Sequence, residues 1–162
     1  MDRGVHARMI NYGRLLLSKE KDNPSQILRA TYIFSNAGTL IHCYGRSMRF
    51  PLDRILYMAE MKLAIGDILM QCRMLLEENR LKPIKIANLD TGGISELEEI
   101  QIISENAANT MHKELQVESA LQLIISCYAL CILYEWNPED VEHLGYQHVI
   151  ERFEQFERDE WR

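Results

Sequence analysis

The chain has 162 residues, of which 47% are hydrophobic and 26% charged, and its formal net charge is −6. This balance is typical of one folded domain with a real core, and it excludes an intrinsically disordered chain. An acidic chain lacks the Lys and Arg excess that neutralises phosphates, so nucleic acid is not expected as its main partner.

Apolar residues recur at three- and four-residue spacing and predict about six helices. The first covers residues 3–19. Asn23 and Pro24 form a helix-start signal, and the second helix runs from there to about residue 44. "GRSMRFPLD" interrupts it, and the third helix covers about residues 53–80. The second helix carries a wide apolar stripe of Ile27, Ala30, Ile33, Phe34, Ala37, Leu40, Ile41 and Tyr44.

"NLDTGGIS", residues 88–95, reads as a linker, and Ser95 with Glu98 has capping-box spacing. Helices then follow over about residues 96–114 and 117–136. Asn137 and Pro138 repeat the earlier start signal and open a last helix to about residue 156. No segment shows useful β-type alternation. The sequence therefore predicts an all-α class and one helical bundle domain over residues 1–162.

The four cysteines, Cys43, Cys72, Cys127 and Cys131, lie in apolar helical stretches without a CxxC pair, which predicts buried reduced thiols. The N-terminal residues contain no apolar segment of signal-peptide length. The most apolar stretch, residues 121–134, is interrupted by polar residues and is shorter than the roughly 20 residues of a membrane span. We therefore expect a soluble, cytoplasmic chain with no membrane partner.

Two parts of the chain look alike. "NAGTLIH", residues 36–42, aligns with "NAANTMH", residues 106–112, at an offset of 112 − 42 = 70. Residues 63–89 align with 118–144 at an offset of 138 − 83 = 55, which pairs Cys72 with Cys127. Either the matches are chance, or segments 24–90 and 95–156 are duplicated halves. Duplication would give two pseudo-symmetric helical hairpins.

"AIGDILM", residues 64–70, resembles the second metal-binding helix of the MazG-type, all-α nucleoside triphosphate pyrophosphohydrolases, with Asp67 at the family's aspartate. The resemblance implies a MazG-like bundle and Mg²⁺-dependent release of pyrophosphate. The family's preceding carboxylate is Ala64 here, and "SNAGT", residues 35–39, stands in place of E-E-x-x-E. Ser35, Asn36 and Thr39 thus replace three glutamates.

The second half departs from the family pattern in the same way. "ENAAN", residues 105–109, keeps Glu105 but has Asn106 and Asn109, and Ser119 and Gln122 stand at the next two carboxylate positions. Neutral oxygens bind Mg²⁺ far more weakly than carboxylates do. The resemblance leaves four acidic groups as candidate metal ligands: Glu60, Asp67, Glu105 and Glu118.

Further polar residues recur along the apolar helices or lie next to them. The candidates for ligand binding are Asn36, Thr39, His42, Arg46, Gln71, Asn109, His112 and Gln122. Either they contribute to a shared pocket for a nucleotide or small phosphate ligand, or they are solvent-facing and hydrogen-bonded structural groups. His42 and His112 align in the two halves. The alternative for them is helix packing, and the alternative for Arg46 is a solvated loop.

The function expected from the sequence is binding of a nucleotide-like ligand or a partner, with weak or no hydrolysis. Two alternatives stand beside it: an active Mg²⁺-dependent pyrophosphohydrolase, and a purely structural assembly protein. The C-terminal "ERFEQFERDEWR" is amphipathic and rich in Glu, which disfavours membrane binding. It either caps the bundle or docks on another subunit, so a homo-oligomer is a further expectation.

Overall fold

A computed structural model of the chain describes residues 25–82, 85–86 and 89–157. The helix expected over residues 3–19 and the start signal at Asn23 and Pro24 lie outside the described residues. Within the described part the chain forms α-helices and one short 3-10 helix, without a β-strand, and the all-α class is confirmed. The helices are α1 (Ser25–Arg49), the 3-10 helix (Pro51–Asp53), α2 (Arg54–Glu78), α3 (Glu96–Asn109), α4 (Gln116–Leu133) and α5 (Pro138–Glu157).

Four of these helices form an antiparallel bundle. α1 packs along α2, α3 along α4, α2 against α4, and α1 against α3. Arg29 near the start of α1 pairs with Glu78 at the end of α2, and Lys62 early in α2 lies over Trp136 beyond the end of α4. Neighbouring helices therefore run in opposite directions around a core that includes Ile65 and Leu123, both fully buried.

The fifth helix lies outside this bundle and packs on α2, with a smaller contact to α4. A second, smaller core forms beneath it from Met70, Met74, Tyr146 and Val149. The segment between α2 and α3 returns the chain to the opposite end of the bundle, and Ile86 within it packs on the main core. The fold is thus two helical hairpins and an added helix.

Two start signals are confirmed. The Ser95 hydroxyl accepts from the Glu98 backbone N–H, and the Glu98 carboxylate accepts from the Ser95 N–H, so the capping box is complete. The Asn137 side chain accepts from the Glu139 N–H, and Pro138 is the first residue of α5. These contacts satisfy N–H groups that a helix start leaves without an intrahelical partner.

The predicted end of the second helix and part of its stripe are wrong. α1 continues through Gly45 to Arg49, and it ends where Phe50 precedes Pro51, since proline disfavours helical geometry in the residue before it. Ile27, Phe34 and Ile41 are exposed rather than buried. The buried stripe is therefore narrower than the sequence indicated.

The ends predicted for the helices over about residues 96–114 and 117–136 also lie too far along the chain. α3 ends at Asn109 instead of residue 114, and the Thr110 hydroxyl donates to the Ala107 carbonyl, a local bond that competes with helix continuation. α4 ends at Leu133 instead of residue 136. Glu135 there has a φ of 58°, and the Trp136 N–H bonds to the Cys131 carbonyl, which is a Schellman motif.

α4 is the one described helix that is long and apolar enough to cross a membrane by length and composition. Of its 18 residues, 61% are buried inside the bundle, as in the core helix of a soluble protein. Cys127 and Cys131 on this helix are buried and free, as are Cys43 and Cys72, which confirms the prediction of buried reduced thiols.

Candidate functional site

The four acidic residues predicted to hold a metal lie apart. Glu60 is exposed and accepts a hydrogen bond from the Cys43 thiol at 3.2 Å. Glu105 and Glu118 are exposed on α3 and α4. In the described part of the chain, no group of three or more His, Cys, Asp or Glu side chains is placed to hold a metal ion.

Asp67, the residue that matches the family's aspartate, faces α5. Its carboxylate oxygens lie 2.9 and 3.0 Å from Nδ1 of His148, and its side chain is only 12% exposed. This contact ties α5 to α2. This candidate metal ligand is thus engaged between two packed helices.

The predicted ligand-binding side chains form mostly local bonds. The Asn36 amide donates to the Tyr32 carbonyl, and the Thr39 hydroxyl donates to the Ser35 carbonyl, both within α1. Gln71 is buried and accepts from Arg29 at 3.1 Å. The Gln122 amide donates to the Ser126 hydroxyl one turn later. The structural alternative accounts for each of these bonds.

The remaining candidates lie at helix ends or on the surface. His42 and His112 are both exposed, so neither side chain is buried between the described helices of one chain. Asn109 is the half-buried last residue of α3. Arg46 belongs to the last turns of α1 instead of a loop, and its guanidinium carbon lies 5.4 Å from the Phe50 ring centre. These four side chains do not share a hydrogen bond in the described structure.

A buried polar cluster joins α2, α4 and α5, and sequence reasoning missed it. Arg73 Nε donates to the Glu142 carboxylate at 2.7 Å, and the Tyr128 hydroxyl donates to the other oxygen at 2.6 Å. Tyr146 is buried beside them, and its hydroxyl has no hydrogen-bond partner. Burial and the nearby Glu142 raise the pKa of both tyrosines. This cluster fixes α5 on the bundle.

A second buried polar chain links α3 and α4. Glu99 is 3% exposed and shares a hydrogen bond with Ser126, which also accepts from Gln122. The Glu99 Oε2 atom has no partner, and burial raises the pKa of this carboxyl. Sequence reasoning singled out Gln122 but did not identify Glu99 as part of this chain.

The outward side of α1 carries large apolar residues that no described residue covers. Ile27, Phe34, Ile41 and Met48 recur every seven residues, and they are 44%, 54%, 40% and 59% exposed. Residues seven apart share one side of a helix. Small residues lie between them. We call this surface the outer face of α1, consisting of Ile27, Thr31, Phe34, Gly38, Ile41, Gly45 and Met48.

The outer face of α1 also lacks charge. No exposed residue from Ile27 to Gly45 is Asp, Glu, Lys or Arg. The one ionic residue in that stretch, Arg29, is buried. About a quarter of the residues of a soluble domain are charged, and most of them lie on the surface. Depletion of charge around exposed large apolar side chains is typical of the centre of a protein interface.

A shallow groove lies at the tip of the α1–α2 hairpin, with a volume of about 470 Å³. Arg54, Lys62 and Trp136 line it, together with apolar residues of the 3-10 helix and α2. The Lys62 ammonium lies 5.4 Å from the Trp136 ring centre. Leu52 and Ile55 at the same tip are 99% and 82% exposed.

These surfaces, and not a shared acidic pocket, are the candidate functional sites of the described chain. Comparison with protein-family models, curated proteins and solved structures finds no match.

Proposed function

We propose that this chain is an assembly protein, which keeps a MazG-like bundle but binds another protein chain along the outer face of α1. The observation that carries this proposal is the row of four large apolar side chains, exposed over six turns of helix without a charge among their exposed neighbours up to Gly45. Leaving such a face in water is unfavourable, and covering it with a partner removes that cost.

The arrangement of the hairpins supports a MazG-like bundle built by duplication. The two cysteines aligned at the offset of 55, Cys72 and Cys127, are both buried in the core that α2 and α4 share, and after burial itself the nearness of Cys72 helps to raise the pKa of Cys127. Helices α2 and α4 also end in the same motif, with Arg80 and Glu135 at φ values of 60° and 58°. The separation 135 − 80 is again 55. Equivalent residues meeting across two antiparallel helices is what a pseudo-twofold axis would produce.

The donor set does not fit a magnesium site. Ser35 and Thr39, at positions where the family has glutamates, are exposed on the outward side of α1 and supply neutral oxygens. Asp67 pairs with His148, and Glu60 lies two turns away along α2, roughly 10 Å by helix rise. Mg²⁺ prefers several carboxylate oxygens and waters in near-octahedral geometry. We therefore propose binding without hydrolysis.

One experiment tests the absence of hydrolysis. The full chain is incubated with a panel of nucleoside triphosphates and Mg²⁺ or Mn²⁺, and released pyrophosphate is measured. We expect none above background. Turnover that Asp67→Asn abolishes, while Glu114→Gln at an exposed residue outside the candidate metal ligands leaves it unchanged, would contradict the proposal and establish the pyrophosphohydrolase.

The groove at the hairpin tip favours a second function, binding of a nucleotide-like ligand. Arg54 and Lys62 offer positive charge for phosphate, and Trp136 offers an aromatic face. Its volume falls within the range of small-molecule sites. In the same panel such a ligand would raise the melting temperature of the unchanged chain, and Lys62→Ala would remove that rise.

A further inference from the structure

We infer that the chain that covers the outer face of α1 is a second copy of this protein, with the two α1 helices paired antiparallel about a twofold axis near Gly38. This inference rests on the proposed function, because it names the partner that the face binds. The midpoint between Ile27 and Met48, the first and last residues of the face, falls beside Gly38. A twofold axis there superimposes the face on itself.

The shape of the face suits a helix of the same kind. Large side chains recur every seven residues, and Thr31, Gly38 and Gly45 lie between them. A Cβ atom added at Gly38 or Gly45 would meet nothing within 4 Å, so both glycines open onto free space. In the antiparallel pair, the two Gly38 residues meet near the axis, and Phe34 of each copy lies opposite Ile41 of the other.

The chain already packs two of its own helices in this way. α2 and α5 cross where Gly66 and Gly145 meet, and a Cβ atom on Gly145 would overlap the Gly66 carbonyl. Glycines there allow two helix backbones to touch. The exposed glycines of α1 offer the same close approach to a helix from outside.

Charge favours a second copy and the antiparallel orientation. A partner that placed charged side chains on this face would bury them without opposite charges, which is costly. A second α1 presents an uncharged face of equal length, roughly 32 Å from Ile27 to Met48. The two exposed cations of α1, Arg46 and Arg49, lie in its last turn. Antiparallel pairing keeps those of the two copies at opposite ends, and it opposes the helix dipoles.

Sedimentation velocity over a wide range of protein concentrations tests the inference with Gly38→Leu in the full chain. We expect the unchanged chain to dimerise and Gly38→Leu to weaken dimerisation by about tenfold or more, because its side chain blocks the close approach. In the monomer, the same substitution replaces a glycine inside a helix at a position where an added Cβ atom meets no other atom. At concentrations where both are monomers, it should raise the melting temperature by about 2–4 °C.

A variant that folds more stably but dimerises more weakly has lost the contact between the two copies, because a damaged fold would also be less stable. The matched control is Ala108→Leu, the same kind of change at an exposed position of α3, which should leave dimerisation unchanged. Dimerisation that is equal in the unchanged chain and in Gly38→Leu would overturn the inference.

A chain that stays monomeric at every concentration would also overturn the inference. Cross-linking from a photoreactive residue that replaces Phe34 then tests whether the outer face of α1 binds another protein. An adduct with a different protein would leave the proposed function standing. A link within one chain would show that the face is covered by this protein's own residues, and the proposed function would fall as well.

Discussion

Glu99 shows at the scale of one residue how burial couples stability to pH. Its carboxyl is buried between α3 and α4 with one oxygen unpartnered, and burial raises its pKa above the ordinary glutamate value. The folded chain therefore binds this proton more tightly than the unfolded chain does. The resulting stabilisation is complete below the ordinary glutamate pKa, and it is lost as pH rises through the raised value.

Glu99→Gln removes this titration. The free energy of unfolding of Glu99→Gln, relative to that of the unchanged chain, should rise over the pH range above the ordinary glutamate pKa, because only the unchanged chain must ionise a buried carboxyl. Urea unfolding at several pH values measures the difference. Glu105→Gln, an exposed change of the same charge on the same helix, is the control for net charge. A difference that falls or stays constant across this range would show that Glu99 is not the responsible group.

Local signals at single residues were predictable, and contacts between distant residues were not. Ser95 with Glu98 and Asn137 with Pro138 act within one turn of helix, so the sequence alone identified them. The Asp67–His148 contact joins residues that are 81 apart, and it depends on where α5 lies. No residue spacing in the sequence indicates where α5 packs.

At the scale of elements, the crossing of α2 and α5 depends on two glycines. An added Cβ atom on Gly66 would lie 2.5 Å from the Val141 carbonyl oxygen, closer than real Cβ atoms approach. The Asp67–His148 contact and the Arg73–Glu142 ion pair also join the two helices. The crossing brings these polar groups within reach of each other, so α5 has little freedom to shift.

Gly145→Ala should destabilise the fold by about 1–3 kcal/mol, because the new methyl group would strike backbone that cannot rotate away. Gly45→Ala is the matched control, since its added Cβ atom meets nothing. There the better helix propensity of alanine should stabilise by up to about 1 kcal/mol. Chemical denaturation of both variants gives the two free energies. If both variants changed the free energy of unfolding by the same amount in the same direction, the close contact of the α2 and α5 backbones at Gly145 would be contradicted.

Helix periodicity located the described helices but not all of their ends or faces. Apolar residues on both sides of α1 merged into one wide stripe, because the sequence does not tell a side that faces the core from a side that faces a partner. The structure separates them into a buried set with Ile33 and Leu40 and an exposed set with Phe34 and Ile41. The exposed set is the part that packing within one chain does not explain.

At the scale of the whole molecule, the fold leaves a row of large apolar side chains exposed on α1. It places the polar residues singled out in the sequence in separate structural contacts. The acids marked by the MazG-type resemblance are spread over α2, α3 and α4, while the outer face of α1 runs along most of its helix. The all-α class was predictable from periodicity and turns. The position of α5 was not, because it depends on the glycine crossing and on a buried ion pair between α2 and α5.

The most direct measurement is photo-cross-linking in living cells, with a photoreactive phenylalanine analogue replacing Phe34 of the full chain. Position 132 is the control, because Ile132 is similarly apolar and 40% exposed but lies on α4. We predict one discrete adduct from position 34, at twice the mass of the chain if the partner is a second copy. Ile41→Glu in the same chain should remove it. No discrete adduct from position 34, or the same products from both positions, would contradict the account.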